Sequence, residues 1–164
     1  MIKIIRSKLT HKDKSDAFDL LQNNEVMKFL GPRRALTNIE ANDWFKNELL
    51  TTHRFVFRLE SNNELIGFCG ITDMPDTYSK HSNIELDFGY FIRQKFWGNG
   101  FAKIMCKQSI YELQKEIDLA DIKVFIADDN HASQKIPHAL NWIKAKPKTN
   151  ENESGWVFNI PLNP

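Results

Sequence analysis

The chain has 164 residues, 41% of them hydrophobic and 26% charged, with 22 basic against 21 acidic side chains and a net charge of +1. That length suits one domain with a sizeable core, taken here as residues 1–164. The near-neutral balance argues against a general nucleic-acid binder, whose affinity comes largely from clustered Lys and Arg.

The chain opens MIKIIRSKLTHKDKSD, without the apolar core of a signal peptide. No apolar run approaches the ~18 residues of a membrane span. A cytoplasmic protein with neither membrane nor nucleic acid as partner is expected. Cys69 lies in an apolar run and Cys106 in a helical pattern, so both are expected as small buried hydrophobes. His11, His53, His81, His131 and His138 are scattered, no His/Cys pair has metal-site spacing, and no metal is expected.

In chain order, Ile2–Arg6 is a short strand. DKSDAFDLLQN is a helix with Ala17, Leu20 and Leu21 on one face, and NEVMKFLGP is a further turn of helix stopped by Gly31 and Pro32. Thr37 followed three residues later by Glu40 is a capping-box pattern at the head of another helix. Arg54–Glu60 and LIGFCGITD flank the turn SNNE and predict an antiparallel hairpin. After a polar loop, Asn83–Ile92 alternates: Ile84, Leu86, Phe88, Tyr90 and Ile92 face one way, Glu85, Asp87, Gly89 and Phe91 the other. A glycine turn leads into a helix from Phe101 to Ile117. A strand over Ile122–Asp128, a helix over HASQKIPHALNW, a polar loop KAKPKTNENESG and a last strand WVFNIP complete the chain. The order predicts an α/β (α+β) fold with a central mixed, largely antiparallel, twisted sheet flanked by helices. The last strand either completes that sheet or crosses to a partner, and a homodimer is compatible with both.

The glycine turn, GYFIRQKFWGNGFAK, joins a strand to a helix N-terminus. The first N–H groups of a helix have no partner inside it, and the helix dipole favours negative charge there. A pyrophosphate fits such a place; so does a tight connection that needs Gly98 and Gly100 only for backbone freedom. The P-loop pattern is absent. The dinucleotide pattern needs a third glycine where Lys103 stands, and it belongs near the start of a parallel βαβ unit. Coenzyme A is the third phosphate ligand to consider.

Four motifs in order carry a resemblance. They are FGYFI at the strand end, Trp97-Gly98-Asn99-Gly100-Phe101-Ala102, NHAS (Asn130–Ser133) and LNW (Leu140–Trp142). Together they resemble the GNAT acetyltransferase superfamily over nearly the whole chain. The nearest likeness is to the branch holding the ribosomal-protein N-terminal, spermidine and aminoglycoside acetyltransferases. Trp97 departs from the Gln/Arg of the superfamily loop, and Asn141 replaces a Gly as a left-handed helix cap.

The resemblance implies a GNAT fold and acetyl transfer from acetyl-CoA to a primary amine, with a peptide or protein N-terminus favoured over a polyamine or aminoglycoside. A non-catalytic coenzyme A binding module is the alternative. It further implies that the backbone amides of Gly98, Asn99, Gly100, Phe101, Ala102 and Lys103 cradle the pyrophosphate. Phe91 and Ile92 would pair with the pantetheine arm, and Asn130 would contact it. Arg93 and Lys95 are either phosphate partners or solvated surface cations. Asp87 is the first choice for the base, with Glu85 one pleat away; both equally suit solvent-facing positions. Ser133 matches the residue that handles the leaving thiolate, and it also suits a helix N-cap. No tyrosine among Tyr78, Tyr90 and Tyr111 suits a general acid. Pro137 either delays or kinks its helix. Acceptor choice is expected from Phe29–Thr37, where Arg33 and Arg34 disfavour a polyamine, and from Lys148–Ser154, where Glu151 and Glu153 do the opposite.

Overall fold

The computed structural model describes residues 2–162. Seven strands form one sheet in the order β1-β2-β3-β4-β5-β7-β6: β1 Ile4–Ser7, β2 Arg54–Leu59, β3 Leu65–Ile71, β4 Leu86–Ile92, β5 Ile122–Ala127, β6 Ile143–Thr149 and β7 Ser154–Asn159. The helices are α1 Lys14–Leu21, α2 Asn24–Met27, α3 Asn38–Glu48, α4 Phe101–Leu113 and α5 Lys135–Leu140. β4 and β5 are parallel, pairing Leu86 with Ile122 and Asp87 with Lys123. β7 is antiparallel both to β5 and to β6, so the last strand completes the sheet of its own chain.

The chain forms two compact units that interleave along the sequence. One comprises Met1–Cys69 and Tyr90–Met105, the other Gly70–Gly89 and Cys106–Pro164. The core of the first gathers the apolar faces of α1 (Ala17, Leu20, Leu21) and α3 (Ala41, Phe45) with Val56, Leu65 and Phe68 of the strands. The capping box expected at α3 is formed: the Thr37 hydroxyl accepts from the Glu40 N–H, and the Glu40 carboxylate accepts from the Thr37 N–H. An ion pair is buried in this unit, Arg58 with Asp13, and a second, Arg54 with the buried Glu48, is partly buried. Burying a charge is tolerated only when it is paired and hydrogen-bonded. Accordingly Arg58 also donates to the carbonyl of Lys8, and Asp13 accepts from the Thr10 N–H. In the second unit Leu86, Phe88, Cys106, Ile110, Leu113, Ile122, Val124, Trp142 and Phe158 are buried. Phe88 and Trp142 meet edge to face at 6.1 Å.

The expected polar loop KAKPKTNENESG is for its first half a strand, β6. All seven of its residues are exposed, so no buried face imposes a period-two pattern on the sequence. Pro147 is tolerated because β6 lies at the sheet edge, where a missing N–H breaks no ladder. The edge is studded with Lys144, Lys146 and Lys148, a composition that opposes pairing with another chain. α4 stops at Leu113, four residues before the expected end. There the bonds tighten to span three residues, from the Lys115 N–H to Glu112 and from the Glu116 N–H to Leu113.

Candidate functional site

The expected site residues fall in two places, each described by itself: the end of β4, the turn after it and the head of α4, and, in the other unit, the turn after β5. Two bonds outside the ladder set the β3–β4 register: Thr72 N–H to the Asp87 carbonyl at 2.8 Å, and Arg93 N–H to the Ile66 carbonyl at 2.9 Å. Antiparallel alternation then turns the backbone polar groups of Phe91 toward β3 and those of Tyr90 and Ile92 away from it. The Phe91 ring stacks on Phe68 at 5.2 Å and meets Trp44 edge-on at 5.7 Å. Of the two residues expected to offer backbone to a ligand, Ile92 turns its N–H outward, its carbonyl accepting from the Trp97 indole, while the backbone polar groups of Phe91 are turned to the sheet. Asp87 is exposed on β4. Glu85 is exposed too but precedes the strand, so it does not sit one pleat from Asp87 on a continuous ladder.

After Ile92 the chain makes a 3-10 turn, Gln94–Phe96, in which the carbonyls of Arg93 and Gln94 accept from the N–H groups of Phe96 and Trp97. The Trp97 indole Nε1–H donates to the Ile92 carbonyl at 2.9 Å, and the Asn99 side chain donates to the Phe96 carbonyl at 2.9 Å. The carbonyls of Ile92, Arg93, Gln94 and Phe96 are thereby engaged from inside. Gly98 and Gly100 have φ of 80° and 74°, a region that side chains other than glycine's enter only with strain. A Cβ at either glycine meets no heavy atom within 4 Å, so both face open space. α4 begins at once, and the N–H groups of Gly100, Phe101, Ala102 and Lys103 have no acceptor within it. Backbone donors around an open glycine turn suit the pyrophosphate of coenzyme A.

Arg93 and Lys95 do not behave as phosphate partners in waiting. Arg93 is only 6% exposed. Its guanidinium bonds the Asp19 carboxylate (3.0 Å), the Glu64 carboxylate (3.1 Å) and the Leu65 carbonyl (2.9 Å). Lys95 reaches the same Glu64 oxygen at 2.5 Å. Lys95 first, and the charges of both cations, hold the Glu64 carboxyl below the usual range against the opposing effect of burial. Sequence reasoning missed this role because the carboxylates come from α1 and the β2–β3 turn, distant in sequence.

Beyond β5, Asn130 caps a turn: its side-chain oxygen accepts from the Ser133 N–H at 3.3 Å. Gln134 Nε2 ties the turn to the Ala127 carbonyl at 2.9 Å. α5 starts only at Lys135, with Gln134 as its N-cap residue, so Ser133 is not the helix cap expected of it. Pro137 is the third helical residue, inside the first turn where its missing N–H breaks no bond, and the helix starts late without a kink. Asn141 takes the left-handed cap conformation, φ 58°. Tyr78 donates to Asp121 at 2.8 Å and accepts from the Asp118 N–H at 3.1 Å. Burial first, and then Asp121, push its phenol up.

Of the two segments expected to govern the acceptor, Phe29–Thr37 holds Arg34 in a fork on Glu40, at 2.8 and 3.0 Å. The other contains a tight turn in which Asn150 Oδ1 accepts from the N–H groups of Asn152 and Glu153, with Glu151 exposed. Among the described residues no group of three or more His, Cys, Asp and Glu side chains gathers to hold a metal ion. No helix among them is long and apolar enough to cross a membrane.

Residues 4–142 match the family model described as an acetyltransferase (GNAT) domain. Solved structures share the fold. A GNAT-family acetyltransferase from Bacillus anthracis is 15% identical, with a TM-score of 0.73 over 96% of this chain and 95% of that one. Spermidine N-acetyltransferase from Vibrio cholerae, in complex with CoA and spermine, is 14% identical, with a TM-score of 0.73 over 96% and 94%. The yncA protein from Salmonella typhimurium, solved with its cofactor acetyl-CoA, is 13% identical, with a TM-score of 0.68 over 99% and 94%. At these identities the likeness is one of fold.

Proposed function

The chain belongs to the GNAT acetyltransferase family, and from that premise we propose that it moves the acetyl group of acetyl-CoA onto a primary amine. The observation that carries the proposal is the turn with two left-handed glycines facing open space at the head of α4. The proteins from Vibrio cholerae and Salmonella typhimurium, similar to this chain in fold, hold CoA and acetyl-CoA.

Acetyl-CoA, when bound, supplies an activated acyl group as a thioester. The N–H groups from Gly98 to Lys103 hold the pyrophosphate. The outward backbone of Ile92, next to Phe91, and the Asn130 side chain hold the pantetheine arm. A primary amine with a pKa near that of Lys, ~10.4, arrives protonated at neutral pH and must lose a proton before it can attack. Asp87, exposed on β4, takes that proton directly or through water, with Glu85 as the second carboxylate. The Ser133 hydroxyl supplies the hydrogen bond at the sulfur. The motifs WGNGFA, NHAS and LNW support the branch that holds the ribosomal-protein N-terminal, spermidine and aminoglycoside acetyltransferases, and within it Arg33 and Arg34 favour a peptide or protein N-terminus as acceptor.

A second reading, a non-catalytic coenzyme A module, draws on Tyr78, whose phenol is engaged by Asp121 and Asp118. One assay separates the two. Purified protein is mixed with acetyl-CoA and a panel of N-terminal peptides, polyamines and aminoglycosides, and release of the CoA thiol is followed. Turnover with one class, reduced by orders of magnitude in Asp87→Asn or Ser133→Ala, supports the enzyme and names its acceptor. Binding of CoA with no turnover on any amine supports the module.

A further inference from the structure

Three consecutive residues between β4 and the glycine turn are each tied by a side chain to other parts of the same unit. Arg93 bonds Asp19 of α1 and Glu64 of the β2–β3 turn, and lies 3.6 Å from Asp16. Gln94 accepts from the side chain of Asn23, the N-cap residue of α2, at 2.8 Å. Lys95 bonds Glu64. The backbone of Arg93 is fixed as well, its N–H on Ile66 and its carbonyl under the Phe96 N–H. Its guanidinium lies over the Phe96 ring, 5.6 Å from the centroid.

We propose that Arg93 is the positioning residue of the glycine turn. Resting on the reading of that turn as the coenzyme A site, the inference is that the Arg93 charge shapes the pyrophosphate site and does not touch the pyrophosphate. A buried guanidinium with carboxylates on two sides has one low-energy placement, because its donors form a rigid planar fork. Fixing Arg93 fixes the 3-10 turn that hangs from its carbonyl. That turn sets where Trp97 and Gly98 begin the cradle. Preorganised donors lose less freedom on binding, which is gained as affinity.

The test uses the full chain and two readouts. Without ligand, hydrogen exchange at the Phe96 and Trp97 amides should quicken at least tenfold in Arg93→Gln, and part of that protection should return in Arg93→Lys. By calorimetry with CoA, Arg93→Gln should bind at least tenfold more weakly than the parent. Glu64→Gln, a milder change from the other side of the pair, should lose about threefold and covers the case in which Arg93→Gln does not fold. Arg58→Gln breaks the buried pair with Asp13; Arg58 also donates to the Asn63 carbonyl of the β2–β3 turn, but neither residue bonds the Arg93–Gly98 segment, and the folded protein should keep its CoA affinity. Parent-like CoA binding in both Arg93→Gln and Glu64→Gln overturns the inference. So does an equal loss in Arg58→Gln, which makes the effect one of general stability. A parent protein that binds no CoA overturns the functional reading instead, and the exchange experiment still decides whether Arg93 holds the turn.

Discussion

The indole Nε1–H of Trp97 donates to the carbonyl of Ile92 at 2.9 Å, folding the turn back onto the end of the strand that leads into it. The bond spans five residues and closes the 3-10 turn between them. Trp97, 45% exposed, is held by the one polar atom of its side chain. Trp97→Phe keeps an aromatic ring, smaller than indole, and removes the donor. A single hydrogen bond contributes about 0.5–1.5 kcal/mol net, so CoA affinity should fall about two- to tenfold. Calorimetry measures this directly, and unchanged affinity would mean that the bond is incidental to the site.

Gly98 and Gly100 separate two effects that usually come together. Both need φ near +75°, yet a Cβ at either meets no atom of the protein. Gly98→Ala and Gly100→Ala should each cost about 1–2 kcal/mol of stability through backbone strain alone. CoA binding should fall by more than tenfold, because the new methyl group would enter the space that the proposed site gives to the phosphate. Denaturant midpoints and calorimetry read the two effects independently. Full CoA affinity in a strained but folded variant would return the glycines to the role of a plain turn.

How much was legible in the sequence follows from where each signal resides. The hairpin around SNNE, β5 and the capping box at Thr37 and Glu40 are carried by local patterns, and the structure has them where those patterns fall. The left-handed Asn141 was legible because few residues tolerate that conformation. β6 was not, since an edge strand with every side chain exposed leaves no apolar alternation. Arg93 was the larger omission. A lone cation beside a phosphate-type loop looks the same in sequence whether it faces the ligand or a buried carboxylate, and Asp19 and Glu64 lie 74 and 29 positions away. Asn130 was placed in the site by resemblance, and the structure adds a local duty, capping the turn at Ser133.

That local duty makes Asn130 a test of its own. Removing a cap costs about 0.5–2 kcal/mol, so Asn130→Ala should lower stability by about 1 kcal/mol with no ligand present. Asn130→Asp keeps an acceptor and should restore most of it. A loss of CoA affinity in Asn130→Ala that persists in the refolded and equally stable Asn130→Asp would mark a direct contact through the side-chain amide. Recovery of both together would leave only the cap.

Asp87→Asn should lower turnover by about 10²- to 10⁴-fold if the carboxylate removes the amine proton. CoA affinity should stay unchanged, because Asp87 lies on β4 five residues before Ile92 and outside the glycine turn. The remaining activity of Asp87→Asn should rise with pH as solvent takes over the deprotonation. Turnover within threefold of the parent at neutral pH would remove Asp87 from the mechanism and leave Glu85 as the carboxylate to examine.

Glu40 gives a pH dependence whose sign is fixed by its partners. The Arg34 fork first, and the Thr37 N–H next, lower its carboxyl from an ordinary 4.5 to about 2. A depressed carboxyl stabilises the fold above its unfolded value and ceases to do so as pH falls through the folded one. The contribution should therefore be complete at neutral pH, decline between about 4.5 and 2, and vanish below. Both partners are exposed, which keeps the effect small and sensitive to salt. Glu40→Gln isolates it, since Gln also closes a capping box but does not attract Arg34 as an anion. The parent should be the more stable at pH 7 and the two should converge as pH approaches 2. A gap that stays constant over that range would assign the stabilisation to the capping box alone and none to the Arg34 pair.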